Sequence, residues 1–138
     1  LRDRVAKQGA LSHYNSCNVL SMHALIGAYS AEGEEWAEEM VGVIDENFAY
    51  ACDFIGKSFP GVQFMRPQGT YMLFLDCSEW LAAHNLSLRE LAHRGVRAGV
   101  IWQNGEAFFG KNCIRMNLAL PKALLVEAME RLKKYAFI

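Results

Sequence analysis

From Trp36 to Phe59, the apolar residues Trp36, Met40, Ile44, Phe48, Ala51, Ile55 and Phe59 recur every three or four positions. That spacing puts all seven on one side of a long helix, and a helix with a single apolar stripe needs a second layer to bury it. No other feature of the chain constrains its fold as tightly. Glu34, Glu35, Glu38 and Glu39 crowd the start of the stripe, where carboxylates favour the positive end of the helix dipole. The acidic run therefore reads as a solvated helix start rather than a metal site. Pro60-Gly61 ends the helix.

The second layer follows downstream. Residues 62–65 suit a short strand, Pro67 to Gly69 a turn, and Thr70 to Asp76 a strand that is apolar on both faces. A run of that kind belongs in the middle of a sheet covered on both sides. "SLRE" at Ser87 to Glu90 has the form of a capping box and predicts a short helix running towards Gly95. "GVIWQ" (99–103) predicts another strand, and "NGEAFFG" (104–110) a loop flanked by glycines. In "CIRMNLALPK" (113–122), Ile114, Met116, Leu118 and Leu120 are apolar and alternate with Cys113, Arg115, Asn117 and Ala119. That period of two predicts a strand with one face on a core. Pro121 suits the first turn of a last helix with the stripe Leu125, Ala128, Met129, Leu132 and Ala136. Its pairs Glu127–Arg131 and Glu130–Lys134 have supporting i,i+4 spacing. Residues 18–29, "NVLSMHALIGAY", are apolar around much of a helical circumference, which predicts a helix packed on more than one side. The fold class is α+β: a small sheet packed against long helices, in one domain over 1–138.

Composition narrows the partners. The 138 residues are 52% apolar with a formal net charge of −1, so they can bury a real core but lack the basic excess that nucleic acid binding requires. No apolar run approaches the roughly 18 residues of a membrane span, and the N-terminus lacks signal-peptide form. Cys17, Cys52, Cys77 and Cys113 are widely spaced in apolar segments, as buried free thiols of a reducing cytoplasm would be. His13, His23, His84 and His93 show no ligand spacing, so no metal site is expected.

Arg115 is the candidate that chemistry singles out. A guanidinium on a half-buried strand must find acceptors, because an unpaired desolvated charge is costly. One solution is a structural ion pair with Asp76, at the end of the neighbouring apolar strand. The other is a cleft in which Arg115 binds an anion, since its planar fork matches a carboxylate bidentately. Asn117 lies on the same face, and Tyr71 starts the adjacent strand. Spacing alone leaves both solutions open.

The ordered series "GTYMLFLD" (69–76), L-x-x-L-A-x-x-G-V in the capped helix, "GVIWQNGEAFFG" (99–110) and "IRMNLALPKALLVEAMERL" (114–132) resembles the C-terminal end of class I/II aminotransferase-like enzymes. These are pyridoxal-phosphate enzymes of fold type I. The stretch "ALIGAYSAEGEEWAEEMVGVIDENFAY" (24–50) resembles the interdomain helix region of their cystathionine β-lyase-like (MalY/PatB-type C–S lyase) branch, with its A-A-Y, G-x-x-W and N-x-x-(Y/F) rhythm. The R-x-N-x-A-x-P form at Arg115 suits the same branch.

The resemblance implies the aminotransferase small-domain fold over 18–138, with 1–17 as the tail of a segment joining it to a large domain. It implies that Arg115 binds the α-carboxylate of an amino-acid substrate, with Asn117 and Tyr71 as further candidate lining residues. It implies pyridoxal 5′-phosphate as cofactor of the full-length enzyme, held mainly by the large domain, and a cytoplasmic homodimer. The family's Schiff-base lysine lies upstream of the matched region, and none of Lys7, Lys57, Lys111, Lys122, Lys133 or Lys134 has a matching context. No catalytic residue is therefore expected here, and this piece alone should be inactive. The expected reaction of the whole enzyme is C–S β-elimination; an aminotransferase of the same fold is the alternative, and a non-catalytic α/β binding module is the alternative of another class. Gln103-Asn104-Gly105 departs from relatives that often carry proline or aspartate before the glycine. The opening "LRDRVAKQGALSHY" reads as the middle of something longer. An exposed apolar patch is then expected on 18–29, where the large domain would pack.

Overall fold

The computed structural model describes residues 1–12 and 18–138, so His13 and Cys17 lie outside the description. The chain divides into two compact units, 1–40 and 41–138. The first contains helices α1 (Arg2–Ser12) and α2 (Val19–Ala28) and the opening turns of α3 (Ala31–Ser58). Asn18 starts α2: its side-chain oxygen accepts the N–H of Ser21 at 2.9 Å, satisfying a donor that the first turn leaves unpaired. No residue of α2 is buried, and Leu20, Ile26 and Tyr29 stand 81%, 66% and 86% exposed. The predicted packing of this helix on more than one side is thus not met among the described residues. The predicted apolar exposure on 18–29 is.

In the second unit the later part of the α3 stripe does what its spacing requires, whereas Trp36 and Met40, in the first unit, stand 64% and 39% exposed and the expected burial of all seven is not met. Phe48, Ala51, Ile55 and then Phe59, just beyond the helix, are all buried in one core. Four strands complete that core: β1 (Gln63–Phe64), β2 (Met72–Asp76), β3 (Gln103–Asn104) and β4 (Cys113–Asn117). They lie in the order β1-β2-β4-β3, every pair antiparallel. Leu73 and Leu75 of β2 and Ile114 and Met116 of β4 are buried, as the alternation predicts. Each fully buried leucine or isoleucine contributes about 1.5–3 kcal/mol relative to an exposed one. The last helix supplies Leu125, Met129 and Leu132 to the same cluster.

Those shorter helices are α4 (Ser78–Ala83) and α5 (Leu88–Arg97). The capping box forms as expected: Ser87 Oγ accepts the N–H of Glu90, and the Glu90 carboxylate accepts the N–H of Ser87 at 2.8 Å. The helix, however, passes Gly95 and stops at Gly99. There Gly99 N–H donates to the Val96 carbonyl and Val100 N–H to the Gly95 carbonyl, with Gly99 at φ +77°. This paired 5→2 and 6→1 closure uses Gly99 and Val100 to end the helix, so the expected strand 99–103 shrinks to Gln103 and Asn104. The strand β2 likewise starts at Met72 rather than Thr70, because Thr70 turns left-handed at φ +70°. The final helix, α6 (Lys122–Tyr135), follows Pro121 and forms the Glu127–Arg131 pair at 2.6 Å. Lys134 lies over the Tyr135 ring at 5.0 Å and makes no ion pair with Glu130 among the described residues.

The second face of the sheet overturns one expectation. Although β2 is central, only its Leu73/Leu75 face is buried, while Phe74 is 37% exposed. A 3-10 turn, Gly105–Phe108, and the residues after it cover part of that face in place of a second helical layer.

Candidate functional site

The partly open face is where the alternation of β4 sends Arg115. Antiparallel register sets Arg115 directly opposite Phe74 on β2 and opposite Gln103 on β3, so the three side chains share one face. Arg115 Nη1 donates to Gln103 Oε1 at 2.8 Å. The Phe108 ring lies against the guanidinium, its centroid 4.4 Å from Cζ, in cation–π contact. Arg115 is half-buried. Among the described residues no hydrogen bond engages its Nε–H or its Nη2, and no carboxylate pairs with it.

Asp76 is not its partner. It stands opposite Cys113, and its Oδ1 accepts the N–H of Ser78 at 2.8 Å, which starts α4. The ion pair that spacing allowed between Arg115 and Asp76 is therefore absent among the described residues. Asn117 shares the face of Arg115 two positions on, but its Oδ1 accepts the N–H of Ala119 at 2.8 Å and so shapes the turn out of β4. Tyr71 is half-exposed, and its carbonyl accepts the N–H of Leu118 at 2.8 Å.

Two glycines let the 105–110 segment reach this face. A Cβ on Gly105 would stand 2.6 Å from the Cys113 carbonyl oxygen, and one on Gly110 would run into the Phe74 ring. Side chains at either position would lift Phe108 from Arg115. The sequence flagged Gln103 only as a departure and 104–110 only as a loop. Their partnership with Arg115 depends on a register spanning 12 residues, which no local spacing reveals.

The remaining reactive groups do not compete for the site. The Cys113 thiol donates to the Lys111 carbonyl at 3.3 Å, and burial pushes its titration upward. Burial, then the neighbouring Cys113 and Asp76, push the Cys77 thiol up to about 12, so it stays protonated at neutral pH. The described residues hold no cluster of three or more metal-ligating side chains. A separate open groove between the end of α5 and α6 carries Arg97, Glu127, Arg131 and Tyr135, but its Arg131 is already paired with Glu127.

No protein-family model matches the chain. Over 119 residues it is 31% identical to cystathionine β-lyase PatB of Bacillus subtilis (strain 168), an alignment covering 84% of this chain and 30% of that protein. The crystal structure of the PLP-bound C–S lyase from Staphylococcus hominis superposes with a TM-score of 0.82 at 28% identity, covering 98% of this chain and 34% of the other. A PLP-bound protein of Clostridium difficile 630, assigned as an aminotransferase, gives a TM-score of 0.81 at 29% identity, covering 99% and 35%. The chain thus spans about a third of the length of the proteins it matches.

Proposed function

We propose that this chain, related to the fold type I pyridoxal-phosphate enzymes of the cystathionine β-lyase-like branch, is the small C-terminal domain of a C–S β-lyase in which Arg115 holds the substrate's α-carboxylate. The observation that carries this reading is a half-buried guanidinium on an open sheet face with no carboxylate partner among the described residues. A charge left uncompensated in that position is poised for an anion from outside the chain. Its rigid strand fixes where that anion docks.

The residues present fit a role at the substrate rather than around the cofactor. Lys57 is bound to Asp53 at 2.7 Å, Lys122 donates to the Glu46 carbonyl at 2.8 Å, and Lys133 and Lys134 lie over the rings of Phe54 and Tyr135. Lys7 and Lys111 have no sequence context matching the family's Schiff-base lysine, and with these contacts that supports placing the cofactor's lysine in the large domain. When bound, pyridoxal 5′-phosphate supplies the electron sink for proton loss at Cα and departure of a thiol from Cβ. Arg115 contributes binding and orientation: it grips the carboxylate and so fixes which bonds at Cα face the cofactor. The exposed apolar α2 supports packing against a further domain, and the free thiols of Cys52, Cys77 and Cys113 support a cytoplasmic enzyme. A homodimer is part of the same reading.

An aminotransferase is the second reading, favoured by the 29%-identical structure assigned as one. Arg115 serves both chemistries. Products separate them: β-elimination from L-cystathionine releases pyruvate without a 2-oxo acid acceptor, whereas transamination requires one. The central test is Arg115→Met in the full-length enzyme, which should lower kcat/KM for L-cystathionine about 100-fold, since charge-assisted pairs are worth roughly 1.5–3 kcal/mol per hydrogen bond. A change under threefold would refute the assignment. The isolated chain, mixed with pyridoxal 5′-phosphate and L-cystathionine, should release no pyruvate.

A further inference from the structure

Resting on that reading, we propose that Gln103 and Phe108 are positioning residues, a two-sided seat that holds the Arg115 guanidinium oriented but still charged for the incoming carboxylate. One hairpin carries all three groups. Gln103 begins the short strand β3, Phe108 ends the 3-10 turn and Arg115 sits at the middle of β4, with Gln103 and Arg115 directly opposite in register. The Gln103 oxygen fixes Nη1 at 2.8 Å, and the Phe108 ring, 4.4 Å from Cζ, covers one flat side. A long side chain on an open sheet face would otherwise sample many rotamers, and binding would have to remove that freedom.

The neutrality of Gln103 is the telling feature. A carboxylate at the same place would make the better structural partner, because a bidentate ion pair outranks a single neutral hydrogen bond. It would also occupy the guanidinium and cancel its charge. A carboxamide oxygen accepts one N–H and leaves the positive charge intact, with the Nε–H and Nη2 donors unengaged among the described residues. Phe108 acts in the same sense: its ring attracts the cation without neutralising it. The glycines at 105 and 110 fit the purpose, since side chains there would push the turn away from the strand. The seat therefore suits a ligand with one carboxylate at the guanidinium.

Gln103→Glu separates this role from a structural one. If the seat positions a charged Arg115, the full-length Gln103→Glu enzyme should show KM for L-cystathionine raised about 30-fold, an energy of about 2 kcal/mol, with a thermal midpoint unchanged or higher. A purely structural contact predicts the same or a firmer protein but an unaltered KM, so KM decides between the two. Phe108→Leu should raise KM several-fold without an ion pair forming. A readout independent of turnover comes from the chain itself. Slow rotation about Cζ–Nε should give Arg115 separate Nη1 and Nη2 NMR signals, and Gln103→Ala or Phe108→Leu should merge them. If Arg115→Met changes kcat/KM less than threefold, the carboxylate reading itself falls. If Arg115→Met lowers kcat/KM about 100-fold but Gln103→Glu leaves KM unaltered, or if the Nη signals are already merged in the unaltered chain, only the seat falls.

Discussion

Asn47→Ala is the substitution whose effect the structure constrains most closely. Asn47 is fully buried on α3, and its Nδ2 donates to the carbonyls of Leu118 at 2.9 Å and Leu120 at 2.8 Å. Those two acceptors lie immediately beyond β4, so one side chain ties the long helix to the end of the arginine's strand. Truncation removes both bonds, each worth about 1 kcal/mol net. The Leu118 carbonyl keeps the N–H of Leu120 at 3.0 Å, whereas the Leu120 carbonyl keeps no hydrogen bond recorded among the described residues. An acceptor stranded in this way costs about 1–3 kcal/mol when buried and less where water reaches it, and Leu120 is half-buried. One term opposes these losses: Asn47 Oδ1 is itself buried without a partner, and deleting it relieves a desolvation cost of about 1 kcal/mol. The net loss is about 2–3 kcal/mol. Urea unfolding followed by circular dichroism should show the midpoint fall with an unchanged slope. A loss below about 0.5 kcal/mol, the range of ordinary surface substitutions, would refute the assignment of Asn47 as a tie. Asn47→Asp sharpens the test, because it would aim a carboxylate at two carbonyl oxygens. Burial and those oxygens would raise its folded pKa above the unfolded value, so the penalty is full above the folded pKa and shrinks as pH falls through it. The gap between Asn47→Asp and wild type should therefore narrow on acidification.

Two further perturbations follow from local features. The Cys77 thiol, pushed up to about 12 from an ordinary 9.0, keeps its proton in the folded state where the unfolded chain has lost it. Stability should therefore fall as pH rises from about 9 towards 12, Cys77→Ala should flatten that fall, and iodoacetamide at pH 8 should label half-buried Cys52 well before Cys77. Thr70 is exposed and held at φ +70°, where a β-branched residue is strained by about 1–2 kcal/mol. Thr70→Gly should raise the calorimetric midpoint by a few degrees once the extra chain entropy of glycine is subtracted, and a lowered midpoint would mean the threonine makes a compensating contact.

Signals carried within a few residues of each other were legible in the sequence. The Phe48–Phe59 part of the α3 stripe, the Ser87–Glu90 box, the alternation of β4 and the stripe of α6 each depend on one element's own periodicity or cap, and each is in place; Trp36 and Met40, at the start of the stripe, are exposed instead. Errors arose where a local signal met a competing one. "GVIWQ" has strand composition, but Gly99 and Val100 are taken by the closure of α5. The second apolar face of β2 argued for a covered sheet, yet within the described residues it meets only a turn. Arg115 was legible as an anomaly, a charge alternating with buried apolar residues. Its choice of Gln103 over Asp76 was not, because antiparallel register decides which residues face each other across a hairpin.

That same register explains how Arg115, the proposed carboxylate anchor, comes to sit on a strand. Along β4 the even positions, Ile114 and Met116, are anchored in the core and fix the backbone, while the odd positions hold Cys113, Arg115 and Asn117 on the other face. A slip of one residue would bury Arg115 and expose two apolar side chains, so the hydrophobic pattern enforces the outward aim of the guanidinium. Packing alone leaves the strand's ends free to shift and the long side chain free to turn. Asn47 secures the end beyond Asn117, and Gln103 and Phe108 restrain the side chain at the middle. Core burial thus sets the direction of Arg115, and neutral partners set its orientation without spending its charge. A carboxylate placed opposite Arg115, as in Gln103→Glu, should improve the fold's electrostatics and degrade the proposed capacity to bind an anion.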